Sequence, residues 1–236
     1  MLRTIIWFVY FWIYMLCTIP KLIWVKKLEK QGKIKERDQI VSGMAQRWAI
    51  SLVKLSGSKI EVSGQEHLPK DTPVLFVSNH QSSFDVPILL GFIDKPKGFI
   101  AKKEIKRLPI VGAWMQLMQC VFMDRRDVRQ SLQAINQGAV NLKNGYSLVV
   151  FPEGTRSLDG KMLEFKPGSL KLALKSGVPI VPVTIQGTYK IMEKNSWIIR
   201  PSQVKVKISP PVDTQAFEKD APALSQHIFE IIEKNL

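Results

Sequence analysis

Of the three histidines in this 236-residue chain, His67, His80 and His227, His80 has the setting that suits proton transfer. It stands in Ser78-Asn79-His80-Gln81-Ser82-Ser83-Phe84-Asp85, directly after the apolar run PVLFVS, and Asp85 follows five residues on. Five residues do not bring two side chains together on one straight helix. Across a strand-turn-helix junction they converge. A carboxylate so placed holds an imidazole in one tautomer and stabilises the imidazolium formed when the ring takes a proton. Read alone, H-x4-D is weak, because a surface histidine beside a helix-capping aspartate gives the same letters.

Three further blocks sit at comparable places. Phe99-Ile100-Ala101-Lys102-Lys103-Glu104-Ile105, with Leu108-Pro109-Ile110-Val111-Gly112 after it, ends a predicted strand on two lysines; taken alone it reads as a solvated charged turn. Phe151-Pro152-Glu153-Gly154-Thr155-Arg156-Ser157 follows the strand SLVV. Its Pro and Gly force a tight turn, Arg156 offers a fork of donors that fits a phosphate, and Glu153 is placed to hold that fork. Val178 to Gly187, VPIVPVTIQG, reads as a buried strand with two prolines and a terminal glycine. Ser82 and Ser83 are not expected to act as nucleophiles, since no G-x-S-x-G elbow is present.

These blocks need a frame that gathers strand ends. Short β-rich runs at Lys59–Val62, Pro73–Ser78, Gly98–Ala101, Cys120–Met123, Leu148–Phe151, Ile180–Ile185 and Val204–Ile208 alternate with helical patterns. The latter fall near Val86–Phe92, Ile110–Leu117, Val128–Lys143, Ser169–Ser176 and Leu224–Lys234. Such alternation predicts an α/β fold with a mixed, largely parallel sheet flanked by helices. In that architecture loops at the carboxyl ends of strands carry the chemistry.

The first 57 residues differ in character. Ile5 to Ile19 is apolar or aromatic except for Thr18, Pro20 and Lys21 interrupt it, and Leu22 to Val25 resume it. The unbroken run is shorter than the ~20 residues a membrane span needs, and no small-residue cleavage site of a secretory signal follows. Lys26, Lys27, Lys30, Lys33, Lys35 and Arg37 come next, a basic cluster that marks a cytoplasmic face and attracts anionic lipid. A second helix is expected from about Ile40 to Leu55, with apolar residues at three-to-four spacing. The expected organisation is therefore a two-helix membrane-associated element over 1–57 and an α/β catalytic domain over 58–236. The expected location is the cytoplasmic face of a membrane, with the bacterial inner membrane as the first reading.

Composition sets outer limits. The chain is 45% hydrophobic with a formal net charge of +14, which suits a folded protein with anionic partners. Lysine and arginine are spread along the chain without a nucleic-acid fold signature, so no nucleic-acid partner is expected. Cys17 and Cys120 both lie in apolar stretches, as free thiols of a reducing compartment do. No Cys/His spacing suits a metal, and no metal site is predicted.

In this order, the four blocks resemble the motifs of the glycerolipid acyltransferase family over about Val74 to Gly187. NHQSSFD is similar to its N-H-x4-D, FIAKKEI with Pro109 and Gly112 to its second motif, FPEGTRS to its third and VPIVPVTIQG to its fourth. The stretch Val121-Phe122-Met123-Asp124-Arg125 resembles the intervening strand. The resemblance implies that His80 is the general base and Asp85 its partner. It implies that Lys102 and Arg156 bind an acceptor phosphate, that Glu153, Gly154 and Thr155 shape that site, and that Lys103 is a second lysine candidate. Asn79, Arg125 and Gly187 are weaker candidates, the glycine for close backbone approach near a lipid tail. The implied reaction moves a fatty acyl group from acyl-CoA or acyl carrier protein to the sn-2 hydroxyl of 1-acyl-sn-glycerol 3-phosphate. Phosphatidic acid is the product, and no cofactor is needed besides the thioester substrate. Membrane lysophosphatidic acid and anionic phospholipid would be the lipid partners. Glycerol 3-phosphate or another lysophospholipid as acceptor stays open, and a non-catalytic basic membrane-binding protein is the alternative from another class.

Overall fold

A computed structural model describes residues 1–124, 127–217 and 220–236. Its centre is one seven-stranded sheet of β1 (Lys59–Ser63), β2 (Leu75–Ser78), β3 (Lys97–Lys102), β4 (Val121–Met123), β5 (Ser147–Val150), β6 (Ile180–Gln186) and β7 (Gln203–Ile208), in the order β1-β7-β6-β2-β5-β3-β4. Every neighbouring pair is parallel except β6 with β7. The central strands LFVS and SLVV are buried at every position, as strands covered on both faces must be. Antiparallel β7, QVKVKI, alternates exposed and buried residues, so its polar face meets water.

The two faces carry separate cores because successive side chains point to opposite sides of a strand. Phe76 and Val149 join the cluster with Ala49, Leu52 and Val53 from α3 (Ile34–Ser56) and Ile88 and Leu89 from α4 (Asp85–Phe92). Leu75, Val77 and Leu148 face the other way. There they meet Ala134 and Leu142 of α6 (Val128–Lys143), Leu172 of α7 (Lys171–Ser176), and Leu224 and Ile228 of α8 (Ala221–Glu233). Asp127 and Asp220 cap the last-layer helices α6 and α8 by accepting the N–H of Gln130 and Ala223, satisfying donors that helix starts leave orphaned. Between β3 and β4 lies α5 (Val111–Leu117).

The front end contains three helices where two were expected: α1 (Leu2–Cys17), α2 (Ile19–Lys30) and α3. Pro20 falls in the first turn of α2, beside the break where the apolar run bends by 42°, a position where its missing N–H has no helical partner to lose. Lys26, Lys27 and Lys30 of the basic cluster lie in α2, and Lys35 and Arg37 lie in the first turn of α3. These helices share the main core: Trp7 is buried in it and donates its indole N–H to Leu52 O at 2.9 Å. Arg37, 4% exposed, bonds Glu29 at 2.6 Å, Asp38 at 2.6 Å and Tyr146 at 3.1 Å. That network pins α2 and α3 to the loop before β5. No single described helix is long and apolar enough to cross a membrane; α1 and α2 meet that test only as a pair bent by 42°. The outer side of this pair exposes Ile5, Ile6, Val9, Trp12, Ile13, Leu16, Ile23 and Trp24.

Candidate active site

Strand β2 ends between β5 and β6, with Val77 opposite Val150 on one side and Pro182 on the other. The chain leaving it therefore emerges at the middle of the sheet's carboxyl edge, and His80 is two residues past the end. Asp85 begins α4, so the turn of five residues brings the two back together: His80 Nδ1 lies 2.8 Å from Asp85 Oδ2. Asp85 has no exposed surface. Its Oδ2 also accepts the backbone N–H groups of Gln81 at 2.7 Å and Ser82 at 2.8 Å, and its Oδ1 accepts the Thr188 hydroxyl at 2.6 Å. Four donors around one carboxylate make its burial tolerable. With Asp85 as acceptor, the Nδ1 of His80 carries the proton and Nε2 is the basic nitrogen. The imidazole stacks on Phe151, centroids 4.0 Å apart and planes at 15°.

The FPEGTRS turn holds the same loop by its backbone. Glu153, expected to hold the Arg156 fork, does otherwise: Oε1 accepts the N–H of His80 at 2.6 Å and Oε2 the N–H of Leu163 at 2.9 Å. The Ser157 N–H returns to His80 O at 2.8 Å. Glu153 is 3% exposed, and burial pushes its carboxyl up to about 7, against the two backbone bonds that favour the anion. Gly154 turns the chain at φ +74°, a left-handed conformation that glycine adopts without a Cβ penalty.

The arginine is held from elsewhere. Arg156 Nη1 donates to Ser83 Oγ at 2.6 Å and to Glu193 Oε1 at 3.0 Å, and its guanidinium lies 5.7 Å from the Trp197 ring centroid. The two lysines at the end of β3 separate. Lys103 pairs with Asp124, whereas Lys102 is exposed and lines the cavity that His80 also lines. Two weaker candidates play structural parts. Asn79 is buried and exchanges two bonds with Ile185 of β6, at 2.9 and 2.8 Å, locking β2 to its neighbour. At Gly187 a Cβ would fall 2.5 Å from Gln203 O, so the glycine lets β6 pass β7. Its N–H donates to Gln81 Oε1 at 3.0 Å. Arg125 lies outside the described residues. Ser82 Oγ donates to Glu193 Oε2 at 2.5 Å.

A cavity of about 460 Å³ joins these groups. Its polar lining includes His80, Ser83, Lys102, Thr155 and Arg156; its apolar lining includes Met15, Met44, Trp48, Leu90, Met115 and Met118. A basic nitrogen, two cations and an apolar chamber thus share one space, which fits an amphipathic anionic ligand with an alcohol to be deprotonated. Glu193, Thr188, Gln81 and Trp197 were not singled out from the sequence. Each acts through a contact with a residue 37 or more positions away or through a ring, and no local spacing signals that.

Residues 59–186 match the profile of the family described as Acyltransferase. The chain is 42% identical over 156 residues to a chloroplastic 1-acyl-sn-glycerol-3-phosphate acyltransferase of Arabidopsis thaliana, covering 65% of this chain and 44% of that protein. It is 34% identical over 159 residues to the 1-acyl-sn-glycerol-3-phosphate acyltransferase of Borreliella burgdorferi, covering 67% and 64%. The chain thus spans less than half the length of the plant relatives it matches at over 40% identity. Among solved structures, the 1-acyl-sn-glycerophosphate (LPA) acyltransferase PlsC of Thermotoga maritima superposes with a TM-score of 0.88 at 33% identity, over 99% of this chain and 93% of that one. With the dyad, the four ordered blocks and the sheet topology in common view, this chain belongs to the acyltransferase family.

Proposed function

We propose that this protein transfers a fatty acyl group from a thioester donor to the sn-2 hydroxyl of 1-acyl-sn-glycerol 3-phosphate, releasing phosphatidic acid and a free thiol. The observation that carries the reading is the His80–Asp85 pair on a cavity lined by two cations and by apolar side chains. His80 Nε2 takes the hydroxyl proton while Nδ1–H stays bonded to Asp85, which stabilises the imidazolium. The oxygen attacks the thioester carbonyl; the tetrahedral adduct collapses, the C–S bond breaks, and His80 returns its proton to the departing thiolate. Arg156 and Lys102 hold the acceptor phosphate, and their charge fixes which hydroxyl meets the ring. The donor is acyl-CoA or acyl carrier protein, and the reaction as written uses neither metal nor resident cofactor.

The product keeps two hydrocarbon chains, so the enzyme must work at a bilayer. The exposed apolar side of α1 and α2, followed by a basic helix end, suits insertion into one leaflet with the site at the headgroup level. Residues 1–57 act in this reading as the membrane-associated element and 58–236 as the catalytic domain, on the cytoplasmic face of a bacterial inner membrane.

The test is transfer from labelled acyl-CoA and acyl-carrier-protein donors to lysophosphatidic acid, glycerol 3-phosphate and a phosphate-free monoacylglycerol. The expected result is phosphatidic acid from the first acceptor with donor-dependent turnover. Preference for glycerol 3-phosphate overturns the acceptor assignment, and free fatty acid without acceptor dependence overturns the transferase itself.

A further inference from the structure

The segment after β6 carries no recognised motif, yet it brings a carboxylate to the site. The side chain of Glu193 is 3% exposed. It accepts the Ser82 hydroxyl at 2.5 Å, the Ser83 N–H at 2.7 Å and Arg156 Nη1 at 3.0 Å. One carboxylate therefore ties the turn that carries His80 to the guanidinium of another loop. Four residues on, Trp197 offers its ring to the same guanidinium at 5.7 Å. Both hydrogen bonds of Arg156 leave from Nη1. Among the described residues nothing bonds Nη2 or Nε, and Arg156 lines the cavity beside Lys102 and Thr155.

Resting on the phosphate role of Arg156 argued above, we propose that Glu193 is a positioning residue for acceptor recognition. It fixes one edge of the Arg156 fork, with Trp197 behind it, so that the free edge meets the acceptor phosphate already aligned. An arginine is flexible until something holds it, and ordering it before the ligand arrives removes that cost from binding. The carboxylate also repels an incoming phosphate. Three donors already surround it, however, and they disperse its charge, whereas a fork left to rotate loses the paired geometry that a phosphate selects. The alignment effect is the larger.

The experiment is a double-mutant cycle with the full-length protein, read as separate kcat and KM values for lysophosphatidic acid and for the acyl donor. Glu193→Gln keeps the shape and an acceptor oxygen but removes the charge. The expected result is an acceptor KM raised roughly tenfold, with kcat and donor KM within about twofold. Glu193→Asp recovers part of the loss, and Trp197→Leu raises the same KM by a smaller factor. In an Arg156→Ala background Glu193→Gln adds nothing further, because it acts through the missing group. Additive losses in that background, or a fall in kcat at unchanged acceptor KM, overturn the proposal in favour of a structural role in the Ser82–Ser83 turn. An Arg156→Ala protein with raised acceptor KM beside a Glu193→Gln protein with none overturns it alone. An Arg156→Ala protein with normal acceptor KM removes the phosphate reading, and this proposal with it.

Discussion

The carboxyl and cationic halves of the site are built in opposite ways. Asp85 is fully buried with four donors on its two oxygens, and Glu153 is buried with a backbone N–H on each. Lys102 is exposed and Arg156 is about a third exposed. The contrast follows from what each half must do. A base has to stand in one orientation before substrate arrives, since misalignment of a reacting group is costly. Phosphate-binding cations gain their remaining partners from the ligand and can wait in water for them.

If that contrast is right, the largest losses come from the rigid half. His80→Ala removes the base and is expected to cut kcat by about 10²- to 10⁴-fold; the protein stays folded, which circular dichroism and thermal unfolding check. A smaller loss at this position would shift proton transfer to another group. Asp85→Asn is gentler than it looks. The amide oxygen can keep the three donors on Oδ2 while its NH2 faces Thr188 Oγ1, so geometry survives and only the charge goes. The imidazolium formed on proton abstraction loses the charge that stabilises it, and kcat should fall by about one to two orders of magnitude, with acceptor KM nearly unchanged.

The exposed half should answer in KM. Arg156→Ala and Lys102→Ala each remove a charge-assisted contact worth roughly 1.5–3 kcal/mol, so KM for lysophosphatidic acid should rise ~10- to 100-fold while kcat changes little. Lys103→Ala serves as the internal control. Lys103 is occupied by Asp124, and a half-exposed pair of this kind contributes at most ~1 kcal/mol, so acceptor KM should stay within about twofold. Equal effects at the two lysines would erase the distinction between the cavity-facing lysine and its paired neighbour.

Much of this was legible from the chain itself, for physical reasons that also mark the limit. Short, β-branched apolar runs such as LFVS and SLVV, bounded by turn residues, read as buried strands, so the sheet and the strand-end positions of His80, Lys102 and Arg156 followed from local pattern. Pro20 marked the break between α1 and α2, but the short apolar stretch after it did not show that a separate helix follows. Glu153 has a partner other than the expected one: its bond to the His80 N–H spans 73 residues, and an Arg three positions away was the only partner visible locally. Glu193 lies 110 residues from Ser83 in a stretch without periodicity, so only the fold brings it to the site.

The finest test of the rigid half is Glu153→Gln, because it separates burial from charge. A glutamine can accept only one of the two backbone N–H groups; its NH2 faces the other, leaving a buried donor unpaired at a cost of about 1–3 kcal/mol. The pH dependence has a definite sign. The folded-state pKa of Glu153 is raised from the ordinary 4.5 to about 7, so between those values the folded chain holds a proton that the unfolded chain has released. Its contribution to stability is therefore greatest below about pH 4.5, declines as pH rises toward about 7, and is constant above. Glutamine does not titrate. The gap in urea midpoint between the parent protein and Glu153→Gln should accordingly be wider at pH 5 than at pH 8. A gap that widens with rising pH instead would mean that the two backbone bonds outweigh burial and hold the carboxyl low, making Glu153 a charged splint, like Asp85, and not a neutral one.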